Sequence, residues 1–264
     1  MKTNKTDTPS LLNKVVSIGI VILLFVGFVW WSVRAIDLHL DFSTLLVYRH
    51  RLLQGFLMTI VISLGSLIFS LAIGSVSALG QKSSFLVFRY FCKTYVQLIR
   101  GTPLLVQIYF FYYIIGSAWG WNNRLIAGIT ILSIFEGAYI SEIIRGGMES
   151  IDDQQFEIAK SIGLSPLKTF HLITFPVLMA RILPALAGQF ASIIKDSSLL
   201  SVIAVIELTQ SIQEISADNF RMFENYLFAG FLYFVLTFSV SMLSRMFERR
   251  YKHENGVGQY NQEL

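Results

Sequence analysis

Apolar residues run through this chain in long continuous stretches, not in the alternation of half-buried strands or the one-sided stripe of soluble helices. Six stretches stand out: residues 15–33, 56–79, 103–115, 125–144, 183–208 and 226–246. A helix needs about 20 mostly apolar residues to cross a bilayer. Each stretch therefore predicts a membrane span, the third falling short unless helix from Tyr95 onward is joined to it. The pattern predicts an all-α, polytopic membrane helix bundle, and the lack of alternation argues against a β-barrel. Lys2, Lys5 and Lys14 precede the first stretch as in a signal peptide. Trp30, Trp31 and Arg34 then stand where a small-residue cleavage site is needed, so it reads as a retained span.

One polar island breaks the pattern: EIAKSIGLSPLKTFHLITFP, residues 157–176. Ser150 and Asp153 have capping-box spacing, which predicts a helix starting near Asp152. Gly163 follows the apolar Ile162 as a C-terminal cap does. Ser165 and Pro166 read as the N-cap and first position of a second helix that stops before Pro176. A polar helix–glycine–helix element between spans is a docking device for a water-soluble partner.

Small residues mark close contacts. Ser66, Ser70, Gly74 and Ala78 recur every fourth position, a smooth stripe that another helix can approach. It serves packing within the subunit or an interface between subunits. Gly101-Thr102-Pro103 interrupts the third apolar region with a residue that cannot donate a backbone hydrogen bond. Gly101 and Pro103 are therefore candidate hinge or gate residues, or an ordinary loop-to-helix start.

Composition agrees with the pattern. The chain has 264 residues, of which 54% are hydrophobic and 14% charged, with mean hydropathy +0.59. Soluble domains carry nearer 25% charge. The net charge of +4 is a weak argument for nucleic acid, because basic residues in a membrane protein more often mark the cytoplasmic side. Of the 21 lysines and arginines, 15 lie in the N-terminus, the segment after the second span, the polar island and the tail; Arg34, Arg49, Arg51, Arg124 and Arg221 lie on the other side. Both termini and the island are thus expected in the cytoplasm. Residues 1–14 read as a cytoplasmic segment, 15–50 as a span plus outer loop, 51–250 as the main domain with the island at about 150–176, and 251–264 as a cytoplasmic tail.

Charge inside a span is expensive, on the order of 3 kcal/mol at a helix centre. Lys195-Asp196-Ser197-Ser198 sits near the middle of the fifth stretch. Neighbours on a helix point about 100° apart, so Lys195 and Asp196 neutralise one another only if the helix breaks. A broken helix there would build a polar pathway site from Lys195, Asp196 and a half-helix N-terminus at Ser197-Ser198. The alternative is structural pairing of each charge with another helix. Glu142 and Arg145 read as interfacial or structural. A membrane enzyme using Asp196 and Lys195 as acid and base is a weaker reading, because no P-loop, H-E-x-x-H or G-x-S-x-G is present and the four histidines are scattered. No catalytic or metal-binding residue is expected. The single cysteine, Cys92, reads as a small buried hydrophobe.

The island resembles the EAA loop of bacterial ABC importer permeases, in Glu157-Ile158-Ala159, Gly163 and Ile173-Thr174-Phe175-Pro176. Further segments resemble the polar amino-acid permeases of the histidine/glutamine/arginine importer group. They are LLQGFLMT (52–59), RGTPLLVQIYFFYY (100–113), AYISEIIRGGMESI (138–151), LPALAGQF (183–190) and IIKDSSLLSVIAVIELT (193–209). Departures from that pattern are Gln154, Ile158, Gly188, Ala204 and Ile206, the last four standing for a usual alanine, asparagine, glycine and proline.

The resemblance implies the transmembrane domain of a type I ABC importer: a five-helix permease core with an added N-terminal helix, in the bacterial inner membrane. It implies docking of a cytoplasmic ATPase dimer on Glu157, Ile158, Ala159, Ile162 and Gly163, with ATP and Mg held by that partner and no cofactor on this chain. It also implies a second permease subunit, identical or paralogous, and an extracytoplasmic binding protein that delivers the amino acid. Permeation of another small polar solute, such as an opine or an amino-acid derivative, and a scaffold that merely recruits an ATPase are the competing functions.

Overall fold

The computed structural model describes residues 11–35 and 40–254. Residues 1–10, 36–39 and 255–264, which include most of the expected N-terminal segment and tail, lie outside the described residues. The chain divides into two compact units at Phe42/Ser43. The first contains α1 (Leu11–Ala35), apolar around its whole circumference, as a helix surrounded by lipid is.

The second unit is a helix bundle. After a single turn, α2 (Thr44–Val47), the long α3 (Arg49–Gly80) packs along α6 (Arg124–Glu149). The small-residue stripe makes this contact possible. Ser66, Ser70, Gly74 and Ala78 are all buried, and a Cβ on Gly74 would lie 2.6 Å from Ile140 Cγ2. The stripe therefore serves packing inside the subunit.

Between them lie α4 (Leu86–Arg100) and α5 (Leu104–Tyr109), the latter continued by π-helical turns over Phe110–Gly116. The axes of the two segments differ by 111° at Gly101-Thr102-Pro103. Helix from Tyr95 therefore does not run straight into the third span. Gln107 fixes the corner, its Nε2 donating to Ile99 O (2.7 Å), Thr102 O (3.2 Å) and Thr102 Oγ1 (2.7 Å).

The polar island forms α7 (Asp153–Ser161) and α8 (Pro166–Thr169). The cap of α7 is Asp152, whose carboxylate accepts from Gln154 N at 3.0 Å; Ser150 instead ends α6 and bonds back to Gly147 O, so the capping box is not formed. Pro176 does not stop the second helix. Helical backbone runs on through π turns at Phe170–Thr174 into α9 (Phe175–Asp196). The widened turn makes room for a ring that would collide with a carbonyl in the preceding turn, and Pro176 at the start of α9 needs no donor.

The fifth expected span also shifts. It begins before residue 183, passes from α9 into a 3-10 helix over Ser197–Ile203, and ends at Ala204 in the left-handed region (φ 53°). Leu208 belongs to a further helix, α10 (Leu208–Asn219), and α11 (Met222–Glu254) closes the bundle. Among the described residues five helices are long and apolar enough to cross a membrane, or six with the bent α4–α5 pair.

Ala204 occupies a backbone conformation that favours glycine, the residue usual there in the pattern that the sequence resembles. Its N–H donates to Ser201 O at 2.8 Å, and Val205 N to Leu200 O, so the turn is tied down. A non-glycine residue in this region costs about 1 kcal/mol or slightly more. Ala204→Gly is expected to raise stability by roughly that amount, less the backbone freedom that glycine restores to the unfolded chain. A thermal or denaturant midpoint of the detergent-solubilised protein measures it.

Candidate functional site

Two places carry polar chemistry out of the apolar core. The first is the α7–α8 element. Its turn is a Schellman motif: Leu164 N donates to Ala159 O (3.0 Å) and Gly163 N to Lys160 O (3.1 Å), with Gly163 at φ 73°. That geometry satisfies the last carbonyls of α7 and reverses the chain. Glu157, Ile158, Ile162 and Gly163 are exposed, whereas Ala159 is buried at 1% exposure and anchors the helix from beneath. Ile158 and Ile162, one turn apart, give the free face an apolar centre. Beside them a cleft of about 670 Å³ is lined by Phe156, Lys160, Leu164, Pro166, Thr169 and Phe170. The Arg181 guanidinium donates to Ser150 O, and a Cβ on Gly147 would lie 2.2 Å from Ile182 Cγ2. The two contacts join α6 and α9 where the chain enters and leaves the island.

The second place lies between α6 and α9. Ser197 Oγ donates to Ile194 O (2.8 Å) and Ser198 Oγ to Lys195 O (2.6 Å), while Ser197 N bonds to Ile193 O. The helix tightens from α to 3-10 but does not break. There is consequently no half-helix N-terminus at Ser197-Ser198 to receive a carboxylate. The depth also differs from the expectation. Lys195 is twenty residues along α9, about 30 Å from its start at the α-helical rise. Lys195 and Asp196 therefore lie toward the end of the span away from the island, not at its middle.

Lys195 is exposed, Ser197 is buried, and the half-buried Asp196 carboxyl faces the carboxyl of Glu136 on α6. Glu136 is 0% exposed. Gln189, two turns before Asp196, donates from Nε2 to Glu136 Oε2, and among the described residues no hydrogen-bond donor reaches Oε1. Gly188, where the related pattern has asparagine, faces open space: a Cβ there would meet nothing within 4 Å. Glu136, Gln189 and Asp196 therefore make one polar contact between two membrane helices, and Gly188 leaves room beside it. The cost of a buried acid inside a span makes such a group a functional candidate.

Sequence reasoning missed Glu136 and Gln189. A lone acid within IFEGAYI was the available signal. Another buried acid, Glu207, is structural: it caps α10 by accepting from Thr209 N (2.8 Å) and Gln210 N (2.7 Å), and Tyr233 OH donates to it. Gly101 and Pro103 stand at the 111° corner, so the hinge candidates fall on a real change of direction. At the opposite end of the bundle from the island, a cleft of about 620 Å³ is lined by Met58, Asn122, Asn123, Arg124, Ala204 and Ile206.

Known proteins share this fold. Residues 42–253 match the family model described as binding-protein-dependent transport system inner membrane component. The chain is 37% identical over 200 residues to the probable glutamine ABC transporter permease protein GlnP of Bacillus subtilis (strain 168), covering 75% of this chain and 92% of that protein. It is 35% identical over 205 residues to the glutamine transport system permease protein GlnP of Escherichia coli (strain K12), covering 76% and 93%. The crystal structure of an amino acid ABC transporter with histidines superposes with TM-score 0.75 at 33% identity, covering 81% of this chain and 100% of that one. The inward-facing MetNI methionine ABC transporter gives TM-score 0.65 at 14% identity, a likeness of fold. The fold is that of a type I ABC importer transmembrane domain, and the chain belongs to the family of binding-protein-dependent transport system inner membrane components, the permease subunits of ABC importers.

Proposed function

We propose that this permease moves polar amino acids inward across the bacterial cytoplasmic membrane, paired with a second permease subunit and driven by an ATPase dimer that alone holds ATP and Mg. What supports the amino-acid reading is the Glu136–Gln189–Asp196 contact: acidic and amide groups meet an ammonium, in a chain whose relatives are named as glutamine permeases. Lys195, exposed beside Asp196, is the group for the substrate carboxylate. Ser197 and Ser198 tighten the helix that presents both.

The exposed face of α7 (Glu157, Ile158, Ile162) and the Gly163 turn receive the ATPase, with Ala159 as the inner anchor. Closure of the ATPase pair draws these elements together, and the Arg181 and Gly147 contacts pass the motion into α6 and α9. The polar cluster between those helices then changes which side it opens to. A binding protein outside delivers the amino acid to the far end, near the Arg124 cleft. The lysine and arginine distribution supports a cytoplasmic position for both termini and the island. Arg51, one of the exceptions, lies 4.0 Å from Glu214 of α10, a local partner that offsets its charge.

Reconstituted vesicles test both claims. Cys92 is buried, so single cysteines introduced near Gly163 and near Trp121 can be distinguished by an impermeant reagent added outside. The Trp121 site is expected to react and the Gly163 site to be protected. ATP-dependent accumulation of labelled glutamine or another polar amino acid is expected once ATPase and binding protein are supplied. Outside labelling at Gly163 would overturn the orientation; accumulation of only non-amino-acid solutes would overturn the substrate class.

A further inference from the structure

α4 has three distinct faces, and two of them have no part in the transport reading. Cys92, Val96 and Ile99 are buried against the bundle. Arg89, Lys93 and Arg100 share a second face by helical spacing. Val87, Phe91 and Leu98 share a third, opposite the cations, and are 70%, 68% and 62% exposed. Fifteen residues make a helix about 22 Å long, too short for a hydrocarbon core of about 30 Å. Cys92 lies beside Gly80, where α3 ends, and Arg100 reaches Glu142 near the end of α6, so α4 crosses one end of the bundle.

A cleft of about 680 Å³ opens on its basic face, lined by Lys82, Lys93, Arg100 and Arg145 together with Glu142 and Glu149. The carboxylates are shared: Arg100 and Arg145 approach Glu142 at 3.3 and 2.8 Å, and Arg145 and Lys82 approach Glu149 at 2.6 and 4.0 Å. Among the described residues Lys93 has no acid partner and lies 6.0 Å from the Tyr90 ring. Four cations against two acids leave the cleft electropositive.

We infer that α4 lies in the membrane interface and that this cleft holds the phosphate of an anionic phospholipid. The charge of the cleft complements a phosphodiester. The exposed valine, phenylalanine and leucine give the opposite side of the same helix to acyl chains, so both chemistries of one lipid–water boundary meet on one short helix. Basic pockets between membrane helices take such headgroups by this combination. The inference depends on the proposed orientation only for the leaflet, which is the cytoplasmic one.

Native mass spectrometry of the purified permease tests it without any transport step, so failure of the uptake reading leaves this result standing and the reverse. The probes are phosphatidylglycerol, phosphatidylcholine and inorganic phosphate. The wild-type chain is expected to retain phosphatidylglycerol in preference to phosphatidylcholine. The double variant Lys82→Gln, Lys93→Gln is expected to lose about tenfold or more of that preference, since a basic residue near an anionic surface contributes on the order of 1 kcal/mol. Lys82→Arg, Lys93→Arg should keep it, which separates charge from misfolding. Equal retention of the two lipids, unchanged preference in the glutamine variant, displacement by millimolar phosphate, or lipid-independent pairing of two chains through α4 would each overturn the inference.

Discussion

Gly163→Asp is expected to leave the permease folded in the membrane and to lower ATP-dependent uptake about tenfold or more. The residue sits at φ 73°, and its N–H and that of Leu164 close the end of α7. A side chain there would meet nothing within 4 Å, so no packing is lost and the effect is confined to the backbone and the exposed surface. Leaving the left-handed conformation avoids a strain of about 1–2 kcal/mol, and a tenfold change in docking corresponds to about 1.4 kcal/mol. The strain alone is thus of the size needed, and a carboxylate beside Ile158 and Ile162 adds desolvation cost if an apolar partner surface covers them. Co-purification of the ATPase and uptake by reconstituted vesicles measure the result. Full uptake with normal co-purification would show that Gly163 only ends a helix.

Much of the scaffold was legible because local rules decide it. The helix–glycine–helix island follows from a C-terminal cap that needs φ > 0, and the close packing of α3 on α6 from a four-residue repeat of small side chains. The features that were not legible depend on tertiary partners. Ser150 has the right spacing for a cap, yet it completes α6, and Asp152 captures the free N–H instead. Pro176 reads as a stop, but the π turns before it absorb the missing donor. The third span looked extendable backward to Tyr95 because α4 is rich in apolar residues; the corner at Gly101–Pro103, held by Gln107, turns that segment aside. The start of α10 is not legible although Leu208, Ile212 and Ile215 have helical spacing, because one buried carboxylate, Glu207, supplies it. At the candidate site, Lys195 and Asp196 stand out in the sequence as adjacent charges. Their partner Glu136 lies sixty residues earlier, and only the packing of α9 on α6 brings it opposite Asp196.

That pairing makes the second large effect specific. Asp196→Asn is expected to lower uptake of zwitterionic or cationic amino acids by ten- to a hundredfold while folded permease is recovered from the membrane in normal amount. The side chain is half-buried with its carboxyl facing Glu136, and the substituted amide has nearly the same shape. A hydrogen bond to a charged group is worth about 1.5–3 kcal/mol, which is the stated range when the lost partner is a substrate ammonium. A structural role predicts a different split. If Asp196 mainly holds α9 against α6, the substitution should reduce the folded protein recovered and lower its melting temperature, with uptake per folded complex unchanged. Glu136→Gln sharpens the comparison, because a glutamine at 136 can still accept from Gln189 and so keeps the helix contact while removing the ionisable group. In the pathway reading it too shifts the concentration of amino acid needed for half-maximal uptake, and the two changes together are less than additive because they act on one ligand group. Normal recovery with unchanged uptake across an amino-acid panel, in both variants, would remove these carboxyls from the translocation path.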